Sequence, residues 1–432
     1  MRRAEALFPL SFQQQEMLRN IRAFPACARR YHNSFVFRLT GDVDVDTLAG
    51  ALEDLAARHP VLSTTLVTRD GADWQRAGDP AGGACRPVIR PVDTGVTLDD
   101  ITTDLVARRY DAGRLCSGDP LYQPEIYVLK DMVVLAMTIH HVLYDGWSIS
   151  VLWRDLSECY AARHERRAPS LPELTITYLD YTREQRESWE KSKESVTAYW
   201  RAAAAGVPRE VDWPGPGDPG APPFATAAAT FEASAEQVDS VRGVSRQARV
   251  SPFLVLLSAT ASALARITGQ DRMLAGTDTA NREDPSVHDL AGFCLNTRLV
   301  PLADPAGRPF PEVLSSVRRH WLAADRHRDA YVDQILHELG RPEVVKVNMM
   351  SETLDTTMLR LPGVTSARVP LPMASSYWRP VYSEWRLGPD RFALHLTYQP
   401  ARVSAKAVEA WIDGVNETLH LLKRVADASF TH

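Results

Sequence analysis

Cysteine is scarce in this sequence, and its spacing gives no sign of a covalent or metal-bound framework. The 432 residues include only five cysteines, and no two of them form a C-x-x-C pair. An odd number of scattered cysteines argues against a disulfide framework and against a zinc site. We therefore expect reduced cysteines that mostly pack in the interior.

The sequence also lacks a long hydrophobic run and an excess of basic charge. The uncharged stretch 252–265 is too short to span a bilayer and predicts a buried helix. No apolar segment of the signal-peptide kind follows Arg2 and Arg3. A formal net charge of -5 gives no indication of nucleic-acid binding. These absences predict a cytoplasmic protein with neither a membrane span nor a nucleic-acid partner.

What the chain does contain is the composition and length of a two-lobed globular protein. It is 45% hydrophobic and 24% charged, and a chain of this length favours two domains of roughly 200 residues. Helical and strand patterns alternate in both halves, which predicts an α/β fold with mixed sheets. The segment 206–223 is rich in proline and glycine and predicts a crossover linker. We place the boundary shortly before it, giving lobes at 1–175 and 176–432.

One segment at a strand-to-helix junction carries the most informative chemistry. The apolar runs 126–129 and 132–139 predict a hairpin, and the spacing of apolar residues from Ile149 to Tyr160 predicts a helix. Between them lies the segment HHVLYDG, residues 140–146. Loops between such elements commonly carry function.

The residue types of this segment suit acid–base chemistry. Successive side chains of a strand point to opposite faces, so only one of His140 and His141 can enter a cleft. A neutral imidazole can accept a proton near pH 7. Asp145 is charged in apolar surroundings and needs a partner such as an arginine, while Gly146 leaves room for a close approach. The alternative is a half-buried histidine that only satisfies hydrogen bonds.

Four further residues are candidates to line a substrate channel. Trp147 and Ser148 follow the segment directly, and Tyr178 and Asn296 lie in other motifs. Packing is the alternative for the two aromatic residues. A buried amide must find partners in any case, so Asn296 has an equally plain structural alternative.

At this point the sequence resembles the condensation-domain family of nonribosomal peptide synthetases, whose hallmark is H-H-x-x-x-D-G. The resemblance extends over essentially the whole chain. Ordered matches to other family motifs occur at 10–15, 58–62, 178–181, 276–282 and 292–297, with a weaker one at 327–329.

The resemblance implies a fold, a reaction and a set of roles. The fold would be two chloramphenicol-acetyltransferase-like lobes forming a V-shaped pseudo-dimer, with a floor loop at about 269–291 in the second. His141 would be catalytic, His140 would pack beside it, Asp145 would be structural, and Gly146 would lie where the acceptor passes. No cofactor or metal would be bound. Substrates would arrive on the phosphopantetheine of peptidyl or acyl carrier proteins, and a free-standing monomer would transfer the acyl group to an amine or alcohol.

The sequence departs from the family at the expected partner of Asp145. The second motif usually continues with an arginine where this chain has Ser63. Arg58, or an arginine elsewhere, is then needed to pair with the carboxylate. Two other functions remain open at this stage, a coenzyme A-dependent acyltransferase and a catalytically silent domain that docks a partner.

Overall fold

The computed structural model describes eight stretches of the chain, namely residues 6–79, 85–93, 95–108, 115–327, 330–340, 342–351, 359–372 and 376–427. The chain divides into two compact units. The first comprises Met1–Ser188, Ala280–Leu295 and Asp355–Ala374, and the second comprises Trp189–Thr279, Asn296–Leu354 and Ser375–His432.

The first unit contains a five-stranded and a three-stranded sheet. The five strands lie in the order β12 (Val364–Val369), β2 (His32–Gly41), β7 (Val133–His140), β6 (Tyr122–Val128) and β5 (Val88–Pro91). The small sheet has the order β1 (Leu7–Pro9), β4 (Ala72–Arg76) and β3 (Thr65–Arg69). The helices are α1 (Phe12–Ala23), α2 (Val45–Arg58), α3 (Leu98–Ala107), α4 (Gly146–His164) and the beginning of α5 (Tyr178–Ala203).

Both faces of the five-stranded sheet are covered, which explains the apolar sequence of its central strand. All eight residues of β7 are buried. Phe35 and Phe37 of β2 belong to the main core with residues of α2 and α4, while Val36 joins a smaller core with residues of α3. A strand buried on both faces reads as a continuous hydrophobic run. This packing holds the end of β7, and with it His140, in a fixed position.

The second unit is a six-stranded sheet with helices packed on it. Its strands lie in the order β10 (Asn296–Ala303), β9 (Arg272–Thr279), β11 (Val344–Ser351), β13 (Val381–Leu387), β14 (Phe392–Tyr398) and β8 (Ala227–Glu232). Its helices are α6 (Ala235–Ala248), α7 (Pro252–Thr268), α8 (Phe310–Arg326), α9 (Val332–Glu338) and α10 (Ala405–Asp427). Trp385 and Trp411 are fully buried in its core.

The mixed α/β class is confirmed, whereas the domain division differs from the predicted segments 1–175 and 176–432. Two later segments, 280–295 and 355–374, belong to the first unit, so the predicted floor loop is shared between the units. The predicted crossover linker, 206–223, lies inside the second unit. It has neither helix nor strand, and Trp213 packs against Trp411 with ring centroids 5.8 Å apart.

Among the described residues, no single helix is long and apolar enough to cross a bilayer. Only α6 and α7 taken together, which are bent by 109° relative to each other, have the length and composition of a span.

Candidate active site

The two histidines of the motif have different surroundings at the end of β7. His140, the last strand residue, is 2% exposed, and its Nδ1 accepts a hydrogen bond of 3.2 Å from the Val142 amide. Burial lowers the pKa of His140 well below its ordinary value, which keeps the ring neutral. His141 begins a short 3-10 turn that ends at Leu143, and its side chain is half-buried. The strand end thus separates a buried histidine that holds the turn from a half-buried one.

Aromatic rings surround the His141 imidazole. Tyr144 stacks on it with ring centroids 4.8 Å apart, and Phe293 and Tyr31 contact it edge-on at 5.2 and 6.4 Å. The Tyr144 hydroxyl accepts a hydrogen bond of 2.7 Å from Nδ2 of Asn33 on β2. These contacts fix the plane of the imidazole before any substrate binds.

Asp145 begins helix α4 as its N-cap. Its backbone is extended, and its carboxylate accepts a hydrogen bond of 2.8 Å from the Ser148 amide. Capping satisfies one of the amides that every helix leaves unpaired at its N-terminus. The cap therefore fixes where α4 begins relative to the His141 turn.

The same carboxylate anchors a segment more than a hundred residues away in sequence. Arg282 Nη2 lies 3.1 and 3.2 Å from the two Asp145 oxygens, and the amides of Cys294 and Leu295 donate to Oδ2 at 3.0 and 3.1 Å. The Asp145 and Arg282 side chains are each 1% exposed. This network holds the segment 282–295, which includes Phe293, against the His141 turn.

Arg282 pairs with Asp145 in place of the family arginine, whose position is occupied by Ser63. Arg58 binds Asp155 instead, with Nε 2.7 Å from the carboxylate, so of the two possibilities left open by the sequence the structure shows an arginine elsewhere. Ser63 cannot replace the arginine, since its hydroxyl donates to a local carbonyl oxygen at 2.9 Å.

Ser148 and Tyr178, two predicted channel residues, are buried in this anchor. The Ser148 hydroxyl lies 2.7 Å from the Gly292 carbonyl oxygen and accepts from the Gly292 amide at 3.0 Å. Tyr178 is 1% exposed and donates to the Phe293 carbonyl oxygen at 2.9 Å. A Cβ on Gly292 would lie 2.1 Å from the Tyr178 ring. This placement favours the packing alternative for Tyr178, and it makes Ser148 part of the same buried hydrogen-bond network.

Trp147, Gly146 and Asn296 have three different environments. Trp147 is 41% exposed, and its indole donates to the His288 carbonyl oxygen at 2.8 Å. Gly146 is exposed, and a Cβ there would meet no atom within 4 Å. Asn296 belongs to the second unit, where it is 7% exposed and its amide donates to the Ala330 carbonyl oxygen at 3.1 Å. Gly146 and Trp147 thus belong to the same unit as His141, and Asn296 belongs to the other unit.

The first sequence motif supports the His141 turn from behind. Gln14 Nε2 donates to the Val142 carbonyl oxygen at 3.1 Å and to Oε1 of Gln75 at 3.0 Å. Ser11 caps α1 through the predicted capping box with Gln14. Sequence reasoning did not assign this role to Gln14, nor the pairing role to Arg282, although both lie in motifs that it singled out. The weaker match at 327–329 lies partly outside the described residues.

No donor set for a metal ion emerges from the described stretches, in which no group of three or more His, Cys, Asp or Glu side chains converges. The chemistry that the arrangement offers is that of a half-buried imidazole held by aromatic and hydrogen-bonding neighbours.

Comparison with known proteins gives matches to one family. The family model described as Condensation domain matches residues 4–356. Malpinin synthetase from Mortierella alpina is 32% identical over 344 residues, which are 77% of this chain and 4% of that protein. The chain therefore spans a small part of the length of this curated relative.

Solved structures show the same fold. The X-domain from teicoplanin biosynthesis superposes with a TM-score of 0.82 at 21% identity, covering 100% of this chain and 97% of that one, and it is also known in complex with OxyB. The first condensation domain of the calcium-dependent antibiotic synthetase, in complex with a substrate analogue, has a TM-score of 0.73 at 16% identity, covering 99% and 98% of the two chains.

Proposed function

Because the chain belongs to the condensation-domain family, we propose that it is an acyltransferase that joins a carrier-bound acyl thioester to an amine or an alcohol. The family acts in nonribosomal peptide synthesis and related natural-product pathways. The observation that carries the proposal is the half-buried His141 at the end of β7, held by Tyr144, Phe293 and the anchored segment 282–295.

In the proposed reaction, His141 accepts or positions the proton of the attacking nitrogen or oxygen. The nucleophile adds to the thioester carbonyl carbon, and the tetrahedral intermediate collapses with cleavage of the carbon–sulfur bond. The leaving thiolate takes up a proton, so the products are an amide or ester and a free thiol. General-base assistance is worth about 10²–10⁴-fold. An alcohol, whose proton is harder to remove in step with attack, depends on it more than an amine does.

Holding the two reactants in line supplies a further large part of the rate. Orientation of reactants in a fixed geometry contributes up to ~7–11 kcal/mol of barrier reduction. The neutral His140, the Asp145 cap and the Gln14 amide all act on the backbone of the turn, so we assign them positioning roles. The substrate-binding roles of Trp147 and Gly146 remain part of this proposal, supported by their exposure beside the motif.

The donor is proposed to arrive on the phosphopantetheine arm of a peptidyl or acyl carrier protein. Tethering gives effective concentrations of about the mM range for short linkers, so weak docking suffices. A coenzyme A donor is the enzymatic alternative. A recruitment domain is the alternative of another class, favoured by the likeness to an X-domain known in complex with OxyB.

A donor and acceptor panel tests the proposal. The same acyl group is offered on a carrier protein, on coenzyme A and on pantetheine, with a library of amines and alcohols, and products are identified by mass spectrometry. We expect product from the carrier-bound donor. The His141→Ala variant should lose about 10²–10⁴-fold in turnover while remaining folded, and His420→Ala, at an exposed histidine of α10, should behave as wild type.

The remaining outcomes separate the alternatives. Preference for coenzyme A over the carrier-bound donor would favour the coenzyme A-dependent enzyme. Absence of product with every donor would favour the docking domain. Near-normal turnover by a folded His141→Ala variant would remove the general-base role.

A further inference from the structure

Arg368 is a half-buried cation of the first unit that forms no ion pair with any carboxylate of the described residues. It lies on the edge strand β12, where its Cα is opposite Phe37 of β2. Its Nε is buried and forms no hydrogen bond. Across the described ranges, no carboxylate and no hydrogen-bond acceptor pairs with the Arg368 guanidinium.

Other buried cations of this protein are paired with carboxylates. Arg282 binds Asp145, and Lys346 of the second unit binds Asp278. Removing a cation from water carries a large free-energy cost unless an anion or several acceptors replace the water. Burial accordingly lowers the pKa of Arg368. The contrast suggests that its anion comes with a ligand.

Two aromatic rings hold the guanidinium in place without neutralising it. Its Cζ lies 4.8 Å from the Phe35 ring centroid and 5.6 Å from that of Phe37. A cation over an aromatic face is attracted by the ring quadrupole, but the edge of the guanidinium, with its N–H donors, stays available. The side chain is thus oriented on an apolar surface and keeps its hydrogen-bonding capacity.

Phe35 is also connected to His141 through ring contacts. Phe35 packs edge-on against Tyr144 with centroids 5.6 Å apart, and Tyr144 stacks on His141 at 4.8 Å. Buried aromatic rings therefore connect the cation to the proposed base.

We propose that Arg368 binds a carboxylate carried by the substrate that reacts at His141. A planar guanidinium donates two parallel hydrogen bonds to a carboxylate, which gives geometric selectivity as well as charge pairing. The inference rests on the proposed acyl transfer, since it names a specificity residue for that site. The carboxylate belongs either to the acyl chain of the donor or to the acceptor, and the experiment distinguishes these sources.

Binding is measured in the His141→Ala background, so that turnover does not interfere. The donor pair is succinyl-pantetheine and its terminal carboxamide. The acceptor pairs are glycine, leucine and phenylalanine, each with its carboxamide, titrated calorimetrically. We expect the carboxylate form of one pair to bind at least about 10-fold more tightly, as charge-assisted hydrogen bonds allow. The pair that discriminates identifies the source.

Substitutions assign this discrimination to Arg368. Arg368→Gln should bring the ratio of the two affinities close to one, and Arg368→Lys should restore part of it because the charge returns. Arg38→Gln is the matched control, since Arg38 is exposed on the neighbouring strand β2 and next to Phe37. It should keep the full ratio.

Several results would overturn the inference. One is equal affinity of the carboxylate and the carboxamide in every pair, and another is an affinity ratio that Arg368→Gln leaves unchanged. A third is a preference for phosphopantetheine over pantetheine that disappears in Arg368→Gln, which would assign the arginine to the phosphate. A lower melting temperature of Arg368→Gln with unchanged discrimination would show a packing role. Carboxylate discrimination without turnover by the enzyme with intact His141 would support the site and refute the acyl transfer, so the two proposals fail separately.

Discussion

Helix α4 carries two buried aspartates whose surroundings differ in a way that separates the site from its scaffold. Asp145 caps the helix and is 1% exposed, and Asp155 lies in its middle and is 0% exposed. Asp145 is bound by Arg282 and by amides of a distant segment. Asp155 is bound by Arg58 and His59 at the end of α2. Each carboxylate is therefore fully paired, Asp145 with the segment 282–295 and Asp155 with the end of α2.

The difference lies in what each aspartate holds. Asp155 joins two neighbouring helices and fixes the packing of α2 on α4. Asp145 holds the segment 282–295, and Phe293 of that segment contacts the His141 ring. Loss of Asp155 should weaken the fold, whereas loss of Asp145 should also release a wall of the candidate active site.

The largest effect is expected for Asp145→Ala. Removing one member of a buried ion pair costs ~3–5 kcal/mol because the partner charge stays buried, and turnover should fall because the segment 282–295 loses its anchor. Urea unfolding gives the stability and a product assay gives the turnover. The double variant Asp145→Leu/Arg282→Met should recover stability without recovering turnover. A fully stable but slow Asp145→Ala protein would place the carboxylate among the catalytic groups.

Asp155→Ala should show a similar loss of stability without the catalytic loss. It removes the shared partner of Arg58, His59 and Arg154, so about 3–5 kcal/mol is again expected. The turnover of the folded fraction, measured below the melting transition, should stay within a few-fold of wild type. A fall as large as that of Asp145→Ala would erase the distinction between the two aspartates.

The two regions also differ in how far the sequence predicted them. A continuous apolar run predicted β7 and a helical pattern predicted α4, because a buried strand or an amphipathic helix leaves a local signature. The resemblance to condensation domains indicated His141 and a structural Asp145. The Asp145–Arg282 pair was not assigned, since a contact across more than a hundred residues leaves no local pattern. Segments 280–295 and 355–374 belong to the first unit through equally long-range contacts, which leave no local pattern either.

Lowering the pH should destabilise the protein through the region around Asp155. Burial alone would raise the pKa of Asp155, but hydrogen bonds from His59, Arg154 and Arg58 outweigh it and lower the pKa to about 2. Burial lowers the pKa of His59 below its ordinary 6.5. Since both values are lower in the folded state, the unfolded chain binds more protons, so stability rises with pH over this range and is lost as the pH falls.

The free energy of unfolding should begin to fall below about pH 6.5, where His59 takes up a proton in the unfolded chain. It should fall further below about pH 4 because of Asp155, which contributes on the order of 2 kcal/mol. Urea unfolding between pH 3 and pH 8 measures it. His59→Gln should remove much of the slope between pH 5 and pH 6.5. His320→Gln is a control at another histidine whose pKa is lowered by burial, and it should leave the His59 contribution in place. An unchanged slope in His59→Gln would contradict this assignment.

The smallest effect on stability is expected at Gly146, beside the cap. Gly146 is the first residue of α4, and an added Cβ would contact nothing within 4 Å, so Gly146→Leu should change the unfolding free energy by less than about 1 kcal/mol. Turnover should nevertheless fall, because the side chain would occupy the space proposed for the acceptor.

Gly292→Ala is the opposite case, since its Cβ would lie 2.1 Å from the Tyr178 ring and must displace the anchored segment. We therefore expect stable but slow protein from the first substitution and destabilised protein from the second, measured by thermal unfolding and by turnover with small and bulky amines. Full turnover of Gly146→Leu with bulky amines would show that the acceptor does not pass this glycine.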